Sequence, residues 1–233
     1  MEFQRFEKLL RSGAELLSIP LDRDQAGRLY RYFQELWRWS KKINLISKNA
    51  DREQIVENHF VDSLALLKII DGSAGRLLDI GSGAGFPGLV CKAVRTDVPV
   101  GLVEPRLKRV SFLKHMIRLL DLQDIYVHAI RLEDGVEIPG ESAAAWVVSR
   151  AVSDVGEFLD LCDRFRRSKT VVVCMKGPRY RQELDEKREA ENGWKLDTVL
   201  SYHLPRSGAE RNLLVFRGLR TPAGRCGGHA GSN

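Results

Sequence analysis

A doubly wound α/β fold, mostly parallel with an antiparallel edge and preceded by a small helical extension, is predicted by three features of the chain. From Arg76 onward, short apolar runs alternate with helical stripes. The first of those runs ends in a glycine-rich turn. The residues ahead of it carry helix-start pairs and helical periodicity instead.

In the extension, Asp22 and Gln25 follow Pro20 with the spacing of a capping box. Leu29, Phe33, Leu36 and Trp37 recur behind them on one helix face. Asp51 and Gln54 repeat the start signal before Ile55, Phe60, Leu64 and Leu67. Strands are expected at Leu77–Ile80, Val100–Val103, Ile125–Ala129, Ala145–Val148 and Val171–Met175. Runs apolar throughout, separated by helices, imply a parallel sheet covered on both faces. One of the helices carries the stripe Leu107, Val110, Leu113, Ile117 and Leu120, with Arg109, Lys114 and Arg118 off it. Trp194–Leu204 and Asn212–Phe216, joined by a turn with Pro205 and Gly208, predict the antiparallel edge. The expected division is an extension over 1–72, a core over 73–220 and a Gly-rich, disordered tail over 221–233.

A chain of 233 residues suits one full catalytic domain, and its 43% hydrophobic and 29% charged residues are those of a globular protein. No apolar run approaches the roughly 18 residues of a membrane-spanning helix. Met1–Arg11 has no signal-peptide core, so a cytoplasmic location with no membrane partner is expected. Cys91, Cys162, Cys174 and Cys226 are scattered, without a CxxC pair. That spacing speaks against a zinc site or a disulfide framework and predicts reduced thiols and no metal. The net charge of +6 favours polyanionic partners without identifying one.

The strongest local signal runs from Leu77 to Gly88, where an apolar strand enters a turn with glycine at 81, 83, 85 and 88. Glycines there let the chain turn sharply and a ligand approach the backbone. Gly83, Gly85 and Gly88 satisfy the dinucleotide pattern, with Glu104 at the end of the next strand where that pattern expects an acid. Asp79 separates the two ligand classes. A pyrophosphate must approach the helix N-terminus, where a neighbouring carboxylate repels it. S-adenosyl-L-methionine carries a sulfonium and an ammonium instead, and Glu104 suits its ribose hydroxyls.

Several ordered segments carry a more specific signal. They are Asn44-Leu45-Ile46-Ser47, His59-Phe60-Val61-Asp62-Ser63, Leu78 to Gly88, Lys108-Arg109-Val110 with Phe112-Leu113, Ser149-Arg150-Ala151, Met175-Lys176-Gly177 and Arg211 to Val215. In these the chain resembles the bacterial 16S ribosomal RNA guanine-N7 methyltransferases, the glucose-inhibited division protein B family. The resemblance spans nearly the whole chain except the tail, and departs from the usual loop only at Ser82 and Ala84. It implies a Rossmann-like class I methyltransferase fold and an RNA substrate, 16S ribosomal RNA or the small ribosomal subunit. It also implies cofactor contacts at Gly81, Phe86, Leu132, Glu133 and Arg150.

Guanine N7 already holds an in-plane lone pair, so the implied reaction needs no catalytic base, and no Ser/His/Asp triad is expected. Alignment of the reactants should supply the acceleration. Arg150, at the carboxyl end of a central strand, is the charged residue expected to matter most, holding the methionine carboxylate or a substrate phosphate. His59 is either a helix residue bonded to Asp51 or Asp62, or a contact to the target base. Lys108, Arg131 and Lys176 are candidate RNA phosphate contacts, with solvated charge as the alternative. Trp37 is expected in the core, and Trp39 stays open as a stacking residue. A monomer is the default. A methyltransferase for small molecules or proteins, a nicotinamide-dependent reductase and a non-catalytic RNA-binding protein remain as alternatives.

Overall fold

Both capping boxes close at the helix starts that the sequence marks. Asp22 accepts the Gln25 N–H at 2.7 Å while the Gln25 side chain accepts the Asp22 N–H at 2.8 Å. Asp51 and Gln54 do the same at 2.7 and 3.1 Å. In the computed structural model, residues 1–47, 49–70, 75–133, 136–150, 154–166, 170–184 and 193–219 are described. The expected tail, Cys226, Ala151 and the boundary near residue 72 lie outside them.

The extension holds α1 (Phe3–Leu16) and α2 (Arg23–Ser40), then a helical stretch of mixed pitch. That stretch runs through α3 (Arg52–Ile55), a π-helical segment Val56–Val61, α4 (Asp62–Leu64) and a 3₁₀ turn Ala65–Lys68. The mixed pitch follows from the sequence. Ile55 and Phe60 are both buried but five residues apart, roughly 140° around a regular α-helix. The wider π turn brings them onto one face.

Seven strands follow: β1 (Arg76–Ile80), β2 (Val100–Val103), β3 (Ile125–His128), β4 (Ala144–Arg150), β5 (Val171–Lys176), β6 (Trp194–His203) and β7 (Glu210–Gly218). They form one sheet in the order β3-β2-β1-β4-β5-β7-β6. β1 to β5 pair in parallel, and β7 is antiparallel to both β5 and β6. Helices α5 (Gly88–Val94), α6 (Leu107–Leu119) and α7 (Val155–Leu161) complete the layers.

Alternate strand residues serve two separate cores. Leu77, Val100, Leu102, Val148 and Val173 join α5, α6 and the extension on one face. Leu78, Ile80, Val103, Val147 and Val172 pack with Phe158 and Leu159 of α7 on the other. Strands apolar on both sides are therefore buried on both sides, as expected of a covered parallel sheet.

One part of the α6 stripe departs from expectation. Leu107 is 70% exposed, whereas Phe112 and Met116 are fully buried. As the first residue of α6, Leu107 projects beyond the layer that the following turns pack into. Cys91, Cys162 and Cys174 are buried and in no disulfide. Among the described residues no helix is long and apolar enough to cross a membrane, and no cluster of three or more His, Cys, Asp or Glu side chains could hold a metal ion.

Candidate active site

A cavity of about 580 Å³ opens at the carboxyl ends of the parallel strands, a size suited to a cofactor-sized ligand. Its position follows from topology. β1 neighbours both β2 and β4, so the connections leaving β1 and β4 diverge and leave a crevice between them. Gly81, Ser82, Gly83, Ala84 and Phe86 after β1 line it, with Glu104 after β2, Arg131, Leu132 and Glu133 after β3, and Arg150 at the end of β4. Leu45 and His59 reach it from the extension.

Glu104 is 2% exposed and ties the loops together. Its Oε2 accepts the Gly83 N–H at 2.9 Å, and its Oε1 accepts the Arg106 N–H at 2.8 Å. Arg109 Nη1 stands 3.7 Å from Oε2, offsetting the charge. Each carboxylate oxygen has a second lone pair, so Glu104 keeps acceptor capacity for hydroxyls in the cavity.

Asp79 and Gly85, both expected at the ligand, do not line the cavity. Side chains of β1 alternate between faces, and Asp79 falls with Leu77 on the α5 side. There it is fully buried, and its Oδ2 accepts the Gly88 N–H at 2.8 Å. Burial pushes its pKa up to about 7, against the opposing pull of the Gly88 N–H and of Arg150. Asp79 thus discriminates between ligand classes differently from expectation: it occupies the amide at the start of α5, closing that N-terminus to a pyrophosphate. Gly85 faces the extension, with φ +98° and Tyr32 and Leu89 directly over its Cα.

Tyr32 was not signalled by the sequence, since it falls between the residues of the α2 stripe. It is fully buried, and its hydroxyl donates to the Ala84 carbonyl. Its ring stacks on Phe86 at 5.4 Å and 10°, and Phe86 stacks in turn on His59 at 4.9 Å and 23°. The extension is in this way the back wall of the glycine loop.

Arg150 reaches into the same group. Its Nη1 donates to the Asn58 carbonyl at 2.9 Å and to Asp62 Oδ2 at 3.3 Å, and its Nη2 donates to His59 Nδ1 at 2.9 Å. The guanidinium lies over Phe86, 5.2 Å from the ring centre. His59 is therefore bonded to Arg150, and not to Asp51 or Asp62 as one reading of the helix expected. Burial and the adjacent guanidinium lower the His59 pKa to about 3, so the ring is neutral at physiological pH.

Asp62 anchors this arrangement, at 4% exposure. Beside Arg150 it accepts from the Tyr202 hydroxyl at 2.7 Å and faces Arg211 Nε at 3.5 Å. Glu57 accepts the Ser207 N–H at 2.8 Å and also the Arg206 N–H. The π segment thereby grips the β6–β7 hairpin. Asn58, Asp62, Tyr202 and Arg211 could not be assembled from spacing, since they lie up to 153 residues apart. The resembling segments did contain Asp62 and Arg211, without a role for either.

The three basic candidates for RNA phosphates separate. Arg131 lies at the cavity rim, 74% exposed in its side chain and 3.7 Å from Glu133. Lys108 is exposed in the first turn of α6, outside the lining. Lys176 is 12% exposed in its side chain and pairs with Glu183 at 2.6 Å. It is a part-buried ion pair at the end of β5, not a free cation, because its partner on the following turn folds back over it. Trp37 is half-buried against the core, with Arg52 over its ring at 4.9 Å. Trp39 is also half-buried, packed on Phe112 and His115, which removes it as a free stacking surface.

The residues present fit S-adenosylmethionine. The buried Glu104 carboxylate lines the cavity, and the N-terminus of α5, which the loop enters, is capped by the chain's own Asp79. The family model GidB, described as rRNA small subunit methyltransferase G, matches residues 25–214. The Ribosomal RNA small subunit methyltransferase G of Desulfotalea psychrophila is 47% identical over 219 residues, covering 93% of this chain and 100% of that one. That of Geotalea uraniireducens is 40% identical, covering 90% and 95%. Among solved structures, M. jannaschii TYW2 in complex with AdoMet superimposes with a TM-score of 0.57 at 17% identity, over 77% of this chain and 80% of that one, which shows a shared fold. With the family model covering most of its length, this chain belongs to the GidB family of ribosomal RNA small subunit methyltransferases G.

Proposed function

We propose that this protein transfers a methyl group from S-adenosylmethionine to N7 of a guanine in 16S ribosomal RNA. The observation that carries this is the joining of two groups in one cavity: the Gly81–Phe86 loop with Glu104, and His59 with Arg150. The cofactor supplies a methyl group activated by its sulfonium. Glu104 accepts from the ribose hydroxyls, and Gly81, Gly83, Phe86, Leu132 and Glu133 line the rest of the cofactor's site. Asp79 and Gly85 support the loop from behind. In this reading 1–72 is the extension, 73–220 the catalytic core, and the protein acts as a cytoplasmic monomer on RNA or the small subunit.

The side chains position and exclude water; none needs to take a proton from the target atom. The buried apolar side chains of Ile80, Phe86, Val103 and Leu132 on the cavity wall keep water from the reacting centre. Small subunits lacking the modification, incubated with tritiated S-adenosylmethionine, should yield labelled 7-methylguanosine in the digest. No transfer, or label in another nucleoside, would reject the assignment. NADH should not compete for the cavity.

Arg150 acts here by holding His59 and the Phe86 face. Arg150→Ala should keep the fold, because Asp62 retains Tyr202 and Arg211, yet lower turnover at least ~10-fold by loosening the aligned groups. Wild-type turnover in that variant would remove the role. For RNA binding, Arg131 and Lys108 remain the candidate phosphate contacts. Affinity should fall steeply with salt, and each alanine replacement should reduce the slope of log K against log[salt] by roughly 1. A flat salt response would discard both.

A further inference from the structure

A neutral histidine in a cavity has one ring nitrogen that donates and one that accepts, and its hydrogen bonds decide which is which. Arginine can only donate. Because Arg150 Nη2 lies 2.9 Å from His59 Nδ1, Nδ1 must be the acceptor and Nε2 must carry the proton. Among the described residues Nε2 has no partner, and His59 lines the cavity. The ring is clamped between its stack on Phe86 and the guanidinium, whose own position is set by Asp62 and the Asn58 carbonyl. The outcome is a single uncharged N–H donor of fixed direction.

Resting on the reaction proposed above, we propose that His59 is the specificity-determining residue: its Nε2–H donates to the 6-oxo group of the target purine and leaves N7 free. O6 and N7 are the two acceptors of the guanine Hoogsteen edge. A free arginine would bind both together and block the lone pair that must attack. In this structure both terminal nitrogens of Arg150 are engaged by Asn58, Asp62 and His59, so the fork is replaced by one donor. Adenine presents an amino group at that place, and donor would face donor. An uncharged ring also avoids placing a second cation beside the methylated base, which is itself cationic. Asp62 is the positioning residue behind this device, acting through Arg150.

The test uses small subunits reconstituted with guanine, inosine or 2,6-diaminopurine at the target position, under single turnover. Inosine keeps the 6-oxo group; diaminopurine keeps N7 and replaces the oxygen with an amine. Leaving one buried donor unpaired should cost the wild-type enzyme roughly 10- to 100-fold on diaminopurine, with inosine methylated within about threefold of guanine. His59→Leu should slow guanine at least ~10-fold and shrink the guanine-to-diaminopurine ratio by a similar factor, with S-adenosylmethionine affinity within about threefold of wild type. His59→Gln, which keeps a donor, should restore part of the ratio. Equal wild-type rates on guanine and diaminopurine would overturn the proposal whether or not the variants fold. So would an unchanged ratio in His59→Leu, or a tenfold loss of cofactor affinity with the ratio intact. Failure of the wild-type enzyme to methylate guanine would instead reject the reaction itself.

Discussion

Replacing Gly85 with alanine is expected to cripple the protein, destabilising it by about 3 kcal/mol or more. At φ +98° a side chain is strained before any contact is considered. The added Cβ would also stand 2.6 Å from the Tyr32 hydroxyl and 2.8 Å from Leu89 Cβ. Neither neighbour can yield. Tyr32 is fully buried, bonded to Ala84 and stacked on Phe86, and Leu89 is fully buried in α5. The loop would have to leave the extension, taking Phe86 away from His59. Thermal unfolding should shift down by roughly 6–12 °C, and calorimetry should detect no S-adenosylmethionine binding. A variant that melts with the wild type and binds the cofactor would show that Gly85 is dispensable.

Glu104→Ala should have the next largest effect, concentrated on the cofactor. It removes the acceptor for two backbone N–H groups, those of Gly83 and Arg106, and leaves Arg109 without its counter-charge. A buried donor left unpaired costs about 1–3 kcal/mol. The ribose hydroxyls would be deprived of their acceptor as well, so cofactor affinity should fall at least ~100-fold. Glu104→Gln should rescue little. An amide presents one oxygen and one NH₂, so either Gly83 N–H or Arg106 N–H would face another donor. Titration calorimetry on both variants decides the matter, and an unchanged dissociation constant in the alanine variant would separate Glu104 from the cofactor.

Much of this site is legible in the sequence alone. The Leu77–Gly88 run specifies a strand followed by a turn, because continuous apolar residues and closely spaced glycines leave few other conformations. Glu104 is readable from its place after the second strand. The side that Asp79 faces is not. Strands buried on both faces show no polar–apolar alternation, so the parity that sends Asp79 to α5 and Ile80 to α7 leaves no trace in composition. Leu107 and Lys176 mislead for a related reason. Exposure at a helix's first turn, and pairing with a residue on the next turn, are set by neighbours and not by periodicity.

His59 shows the limit most clearly. By itself the sequence determined that a histidine sits in a helical extension near two aspartates, and that an arginine ends a central strand. It also determined the layered α/β fold, since that depends on local periodicity and burial of short apolar runs. The tertiary structure alone decided that Asn58, His59, Asp62, Phe86, Arg150, Tyr202 and Arg211 form one connected group. The physical reason is that hydrogen-bond direction and ring tautomer depend on angles and distances between remote segments. A π segment, a strand end and a hairpin must first be packed before a donor-only arginine can fix which nitrogen of His59 carries the proton.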